Sequence, residues 1–185
     1  MKTALVPLAP GFEELEAIAI IDVLRRANIH VTTAALRERE VSSVRHVRVL
    51  ADTLLDAVKE QDFDLVVLPG GGPGSKALAE DSRVIDLLCR QHQEGRWVAA
   101  VCAAPQALAV AGLLRGRRVT SYPGVLDDTP HPDYCYLTDA VVTDGHIITS
   151  RGPGTVLTFA LTLVEKLLDK ATAQQIAKAM LVNGF

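Results

Sequence analysis

Paired cysteines, aromatic residues and long runs of one charge are all scarce in this 185-residue chain, and two of these shortages close off a class of protein. The three cysteines, Cys89, Cys102 and Cys135, are odd in number and unevenly spaced, with no C-x-x-C pair and no neighbouring ligand set. That excludes a disulfide-framed fold and a zinc centre, and it fits free thiols in a reducing cytoplasm. No run reaches five like charges, and 19 Lys+Arg against 22 Asp+Glu leave a net charge of −3. Nothing in the chain is built to track a phosphate backbone, so nucleic acid is not an expected partner.

Aromatics are only 4%, but 49% hydrophobic and 22% charged residues are the composition of one soluble globular domain, expected over residues 1–185. A secretory signal is not expected, because only Lys2 precedes a short apolar run that Pro7 and Pro10 break and Glu13 and Glu14 follow. Trp97 to Leu114 has 18 residues without a charge, close to the length of a membrane span. Seven of them are Ala, and Pro105 and Gln106 interrupt the middle, so a buried strand running into a buried helix is the better reading and no membrane is expected.

Short apolar runs alternate with stretches of helical length. Thr3 to Leu8, His30 to Leu36, Leu65 to Leu68 and Val98 to Val101 read as strands, with helices over Glu14 to Ala27, Ser82 to Glu94 and Ala104 to Leu114. A polar stretch containing Val47 to Leu50, a short strand near Val119, a Pro/Asp-rich loop from Pro123 to Pro132 and helices from about Thr155 to Asp169 and Ala173 to Leu181 complete the pattern. Ala140 to Val142 and Ile147 to Thr149 form a hairpin expected to turn on Asp144-Gly145. The alternation predicts an α/β fold with a mostly parallel sheet covered on both faces.

Three features carry chemistry. The Gly-rich segment 69–74 follows a strand but lacks the Lys-Ser/Thr of a P-loop and the spacing of a dinucleotide fingerprint. It is read as a tight turn that also lets backbone N–H groups approach a ligand. Cys102 lies where a strand meets a helix, in Ala-Val-Cys-Ala-Ala-Pro, the geometry of a nucleophile elbow; helix N-terminal N–H groups there are expected to lower the thiol pKa. A cysteine in an apolar run is otherwise a packing residue, which is the reading for Cys89 and Cys135. In the opening helix, the positions one to three turns beyond Glu16 are Ile20, Val23, Leu24 and Ala27, so Glu16 faces the core, where an unpaired carboxyl should keep its proton. Glu13 is a weaker competitor at the frayed helix start. Of the five histidines, His30, His46, His92, His131 and His146, only His46 and His131 lie in irregular stretches that could visit Cys102.

These residues resemble the DJ-1/ThiJ/PfpI superfamily, and within it the DJ-1 branch, over nearly the whole chain. The motifs are Ala-Leu-Val-Pro-Leu-Ala-Pro-Gly-Phe-Glu-Glu-Leu-Glu at 4–16, Asp-Val-Leu-Arg-Arg-Ala at 22–27, Asp-Leu-Val-Val-Leu-Pro-Gly-Gly at 64–71, Ala-Ala-Val-Cys-Ala-Ala-Pro at 99–105 and Thr-Ser-Arg-Gly-Pro-Gly-Thr at 149–155. The resemblance implies a flavodoxin-like three-layer sandwich, a homodimer, no cofactor, Cys102 as nucleophile and Glu16 as the protonated carboxyl beside it. It further implies backbone donors at Gly71 and Ala103, supporting arginines at Arg26 and Arg45, the latter reaching the site from a partner subunit, and a pocket position at Pro153. The activities it implies are glyoxalase and deglycase reactions on methylglyoxal-like aldehydes or their early protein adducts, with a redox-responsive chaperone as the alternative. An intracellular cysteine peptidase fits less well, because the residue after the elbow cysteine is Ala103 and not His. Where several relatives carry His before Pro after the elbow helix, this chain has Tyr122-Pro123, which leaves the phenol to hydrogen-bond a substrate oxygen.

Overall fold

The computed structural model describes residues 1–128 and 133–185. The chain opens with strand β1 (Thr3–Leu8), helix α1 (Glu14–Arg26) and strand β2 (His30–Ala35), followed by a small hairpin of β3 (Glu40–Ser42) and β4 (Arg48–Leu50) and the short β5 (Thr53–Leu54). Strand β6 (Leu65–Leu68) leads through α2 (Gly72–Glu80) and α3 (Ser82–Gln93) to β7 (Trp97–Val101) and α4 (Pro105–Val110). Then come β8 (Arg118–Val119), β9 (Cys135–Tyr136), β10 (Val141–Asp144), β11 (Ile147–Ser150), α5 (Val156–Leu167) and α6 (Lys170–Ala179).

The main sheet has the order β10-β11-β7-β6-β1-β2-β5, and every pair is parallel except β10 with β11. Its strands alternate residues between two cores, as a two-residue period requires. Val6, Leu8, Val67, Ala99 and Val101 pack against Ile20 of α1 and Phe159 of α5. Leu5, Val66, Leu68, Val98 and Ala100 pack against Leu78, Leu88 and Leu108 of α2, α3 and α4. Both faces are therefore covered, and the result is the flavodoxin-like three-layer α/β fold. From β1 the chain moves to β2 on one side and later to β6 on the other, so the strand order reverses at the β1/β6 boundary. Open α/β sheets place their sites in the crevice at the carboxyl ends of such strands.

The structure departs from the sequence reading in local places. The Gly-rich turn is already the start of α2: Pro73 suits a first helical turn, and Gly74 has no β-carbon because one would press on Phe12 N at 2.7 Å. Helix α4 stops at Val110, well before Leu114, because Gly112 and Gly116 turn the chain at φ of 72° and 71°. The two-residue hairpin loop is Gly145-His146, one residue later than expected, since the pairing closes at Asp144↔Ile147 and Gly145 takes φ 57°. Among the described residues no helix is long and apolar enough to cross a membrane.

Candidate active site

Cys102 sits one residue past β7 with φ 62°, a left-handed conformation that costs a side-chain-bearing residue about 1 kcal/mol or more. The surroundings hold it there. Its N–H donates to Ser150 O at 3.0 Å, its carbonyl accepts the Tyr122 N–H at 2.8 Å, and the Ala104 N–H closes on Val101 O at 3.0 Å. The end of β11 and the segment after β8 thus clamp both sides of the elbow, leaving Cys102 9% exposed.

Glu16 enters from the first turn of α1 and is fully buried. Glu13 caps that helix, accepting the Glu16 N–H on Oε2 at 2.8 Å, and so fixes where the Glu16 backbone stands. The Glu16 carboxyl accepts the Gly70 N–H at 2.8 Å and lies beside the Cys102 side chain, both of them crowding the space where a Gly70 β-carbon would stand, while its Oε1 is buried with no partner among the described residues. The N–H groups of Gly71 and Ala103 lie close enough to the Cys102 sulfur to favour its charged form. Two glycines make this approach possible. A β-carbon on Gly70 would fall on Glu16 Oε2 and Cys102 Cβ, and one on Gly71, at φ 92°, would fall on the backbone of Gly11 and Glu13.

Burial pushes the Glu16 carboxyl up to about 7, outweighing the Gly70 N–H and the Cys102 thiol, with the nearby Glu13 charge adding to the rise. The expectation of a lowered thiol pKa is not met. Burial first, and then the Glu16 charge, push Cys102 up to about 12 against the Gly71 and Ala103 N–H groups. Helix α4 begins only at Pro105 and has six residues, so its N-terminus brings too little positive charge to reverse that. At neutral pH the pair therefore keeps at least one proton between a sulfur and a carboxyl in contact.

The other expected residues are distributed unevenly. Pro153 and Tyr122 line a groove of about 300 Å³ with Pro123, Arg151, Gly152 and Thr155, and the Tyr122 ring lies against Gly152. Within its own chain Arg45 pairs with Glu13 at 3.1 Å, and Glu13 caps the helix turn that carries Glu16. Arg26 is not brought to Cys102: it lies in the last turn of α1, ten residues or about 15 Å along the helix from Glu16, and bridges Asp22 at 2.7 Å. His46 is exposed at φ 65° between β3 and β4, and His131 lies outside the described residues. Cys135, expected to pack, is exposed because it takes the outward position on β9 between half-buried Tyr134 and Tyr136. Cys89 is half-buried, its thiol 3.6 Å from the Ala111 carbonyl. Sequence reasoning did not pick out Gly70 or Ser150 as site residues. Gly70 stood inside a quoted motif, but only the close approach of three segments shows what its missing side chain is for. No cluster of three or more His, Cys, Asp or Glu suited to a metal occurs among the described residues.

The DJ-1/PfpI family model matches residues 2–166. The chain belongs to the DJ-1/PfpI family. It is 50% identical over 183 residues to Protein dj-1beta of Drosophila melanogaster, covering 98% of this chain and 97% of that one. The crystal structure of the fly protein superposes with a TM-score of 0.95 over 99% of both chains, at 49% identity. The Caenorhabditis elegans protein named glutathione-independent glyoxalase DJR-1.2 is 39% identical over 167 residues, covering 90% of this chain and 89% of that one. A structure of Toxoplasma gondii DJ-1, described as oxidized, has a TM-score of 0.94 at 35% identity over 100% of both chains. The motifs of this DJ-1/PfpI chain that meet at the crevice, 4–16, 64–71, 99–105 and 149–155, are the segments that build the Cys102 elbow and its surroundings.

Proposed function

We propose that this protein is a cofactor-free, cysteine-dependent glyoxalase-type enzyme that converts 2-oxoaldehydes of the methylglyoxal class into 2-hydroxy acids. The observation that carries the reading is the buried Glu16 carboxyl beside a thiol on a strained elbow, with the Gly71 and Ala103 N–H groups near the sulfur. The Caenorhabditis relative named as a glutathione-independent glyoxalase supports this reaction class.

In this reading Cys102 Sγ bonds to the aldehyde carbon as Glu16 takes the thiol proton, and the sulfur's charge passes to the aldehyde oxygen beside the Gly71 and Ala103 N–H groups. Glu16 returns the proton to give a hemithioacetal. It then moves the proton on the former aldehyde carbon, through an enediol, to the neighbouring carbonyl carbon. The product is a thioester of the 2-hydroxy acid, which water cleaves to free Cys102. The net change is addition of one water. The same thiol and carboxyl acting on a hemiaminal would give the deglycase reaction on early protein adducts, and Tyr122, which lines the groove, would hydrogen-bond a substrate oxygen through its hydroxyl. Cys102→Ser, assayed for lactate from methylglyoxal, tests the reading: turnover should fall by about 10³-fold or more, and undiminished turnover overturns it.

The oxidized Toxoplasma relative favours a second reading, in which Cys102 is a redox sensor oxidised by peroxide to a sulfinate that the Gly71 and Ala103 N–H groups hold. Intact-mass measurement after mild peroxide should show two added oxygens that Cys102→Ser removes. The protein is also read as cytoplasmic and as a homodimer, the dimer supported by Leu15 and Ile18, which are exposed apolar residues on α1. Light scattering at twice the monomer mass is the expected result.

A further inference from the structure

Arg151 stands next to the elbow but has no part in the reaction above, and its surroundings differ from those of most other cations. Arg45 and Arg117, for example, face Glu13 at 3.1 Å and Asp144 at 3.4 Å. Among the described residues no carboxylate lies within salt-bridge distance of Arg151. Among those residues its one hydrogen bond runs from an exposed terminal nitrogen to the Thr138 carbonyl at 3.4 Å, and the Nε of this half-buried side chain is covered with no acceptor. A covered N–H without an acceptor is unusual in a folded protein, and here the rest of the guanidinium opens on a groove where a ligand can supply acceptors.

Its position places that acceptor. The last β11/β7 pair is Ser150↔Val101, so the backbone of Arg151 lies one register step on, beside Cys102, with neighbouring strands about 4.8 Å apart. Together with Tyr122, Pro123 and Pro153, Arg151 lines the groove of about 300 Å³, whose walls are mainly ring and proline carbon. The groove thus offers apolar walls for a short carbon chain and a guanidinium with unused donors.

We propose that Arg151 binds a carboxylate at the far end of the substrate, so that the site favours a 2-oxoaldehyde whose carbon chain ends in a carboxylate over a neutral one. The proposal rests on the glyoxalase reading and adds the substrate class. The planar fork of a guanidinium matches a carboxylate with two parallel hydrogen bonds. The chemistry is unchanged: 4,5-dioxopentanoate plus one water gives 2-hydroxyglutarate, with the C–S bond formed at the aldehyde and cleaved by water, and no external oxidant or reductant.

Two measurements test it. In the first, kcat/KM is compared for 4,5-dioxopentanoate and methylglyoxal. The wild type should favour the carboxylated aldehyde by about tenfold or more, Arg151→Gln should remove that preference through KM, and Arg151→Lys should keep part of it. Added salt should weaken the preference in the wild-type chain. An equal ratio in wild type and Arg151→Gln overturns the proposal; if that variant does not fold, a ratio unmoved by Arg151→Lys and by salt does so. In the second, glutarate is titrated calorimetrically into Cys102→Ala, and adding Arg151→Gln should weaken binding about tenfold. Arg151-dependent glutarate binding in a protein that turns over no aldehyde sinks the glyoxalase reading alone. Methylglyoxal turnover without an Arg151-dependent preference sinks this proposal alone.

Discussion

Two buried or half-buried acids at opposite rims of the central sheet, Asp64 and Glu16, are held in opposite ways. At the amino rim Asp64, just before β6, accepts from Lys2 Nζ at 2.8 Å and from the Thr3 N–H at 2.9 Å. Burial pushes its carboxyl up, but the Lys2 and Thr3 partners outweigh that and hold it below its ordinary value of 3.8. Asp144 is held low in the same manner by the Arg118 N–H and the Arg117 and Arg118 guanidinium groups. At the carboxyl rim Glu16 is fully buried and faces an N–H and a thiol, with no cation on its carboxyl among the described residues, and it rises to about 7. The amino rim uses its acids as charged pins between neighbouring strands. The carboxyl rim instead keeps an acid that holds or releases a proton near neutral pH, and it bears the cost of burying that acid.

The contrast breaks most sharply at Glu16. Glu16→Gln keeps the shape and the hydrogen bond to Gly70 but has no proton to exchange, so kcat/KM on 2-oxoaldehydes should fall by about 10²–10⁴-fold. Steady-state kinetics across pH should also show the limb near 7 disappear.

Stability against pH sharpens the same contrast, because the two rims have opposite signs. The folded protein holds a proton on Glu16 up to about 7 whereas the unfolded chain releases it near 4.5, so stability is lost as pH rises through that window, by about 3 kcal/mol. Above the window both states are ionised and the loss levels off. Asp64 works in reverse, its contribution being lost as pH falls below the ordinary value of 3.8. Urea melts of wild type and Glu16→Gln at pH 4.5 and at pH 8 check this: only the wild type should show the falling segment.

A smaller effect separates two neighbouring glycines. Gly70→Ala places a methyl on Glu16 and Cys102 and should cost about 1–3 kcal/mol together with most of the activity. Gly72→Ala, with open space around it, should stabilise by about 0.5 kcal/mol. Thermal melts and a turnover assay on the pair distinguish a glycine that packing requires from one that it does not. The smallest change is expected at the amino rim, where Asp64→Asn should cost about 1–2 kcal/mol in chemical denaturation and leave turnover within twofold.

Much of the fold was legible along the chain because the strands β1, β6 and β7 are short apolar runs and α1 carries a clear helical period. The start of α2 was hidden, since Gly-Pro-Gly has no helical pattern of its own and forms a first turn only because α2 packs on Phe12. For the site, the core-facing side of α1 pointed to Glu16, and the junction of a strand with a helix pointed to Cys102. Arg26 misled because a motif position says nothing of which end of a 13-residue helix meets the crevice. Cys135 misled because the partners that would have buried it had to come from elsewhere in the chain.

By itself the sequence determined a parallel α/β sheet, a thiol at its carboxyl rim and a carboxyl turned toward the core, because periodicity and strand-to-helix junctions are local properties of the chain. Tertiary structure alone decided that Cys102 takes a left-handed φ, that Gly70 must lack a side chain, that the thiol is held up and not lowered, and that Arg151 meets no carboxylate among the described residues. Each of these depends on which segments, remote in sequence, meet at the crevice, on the water they exclude and on the charges they bring or fail to bring.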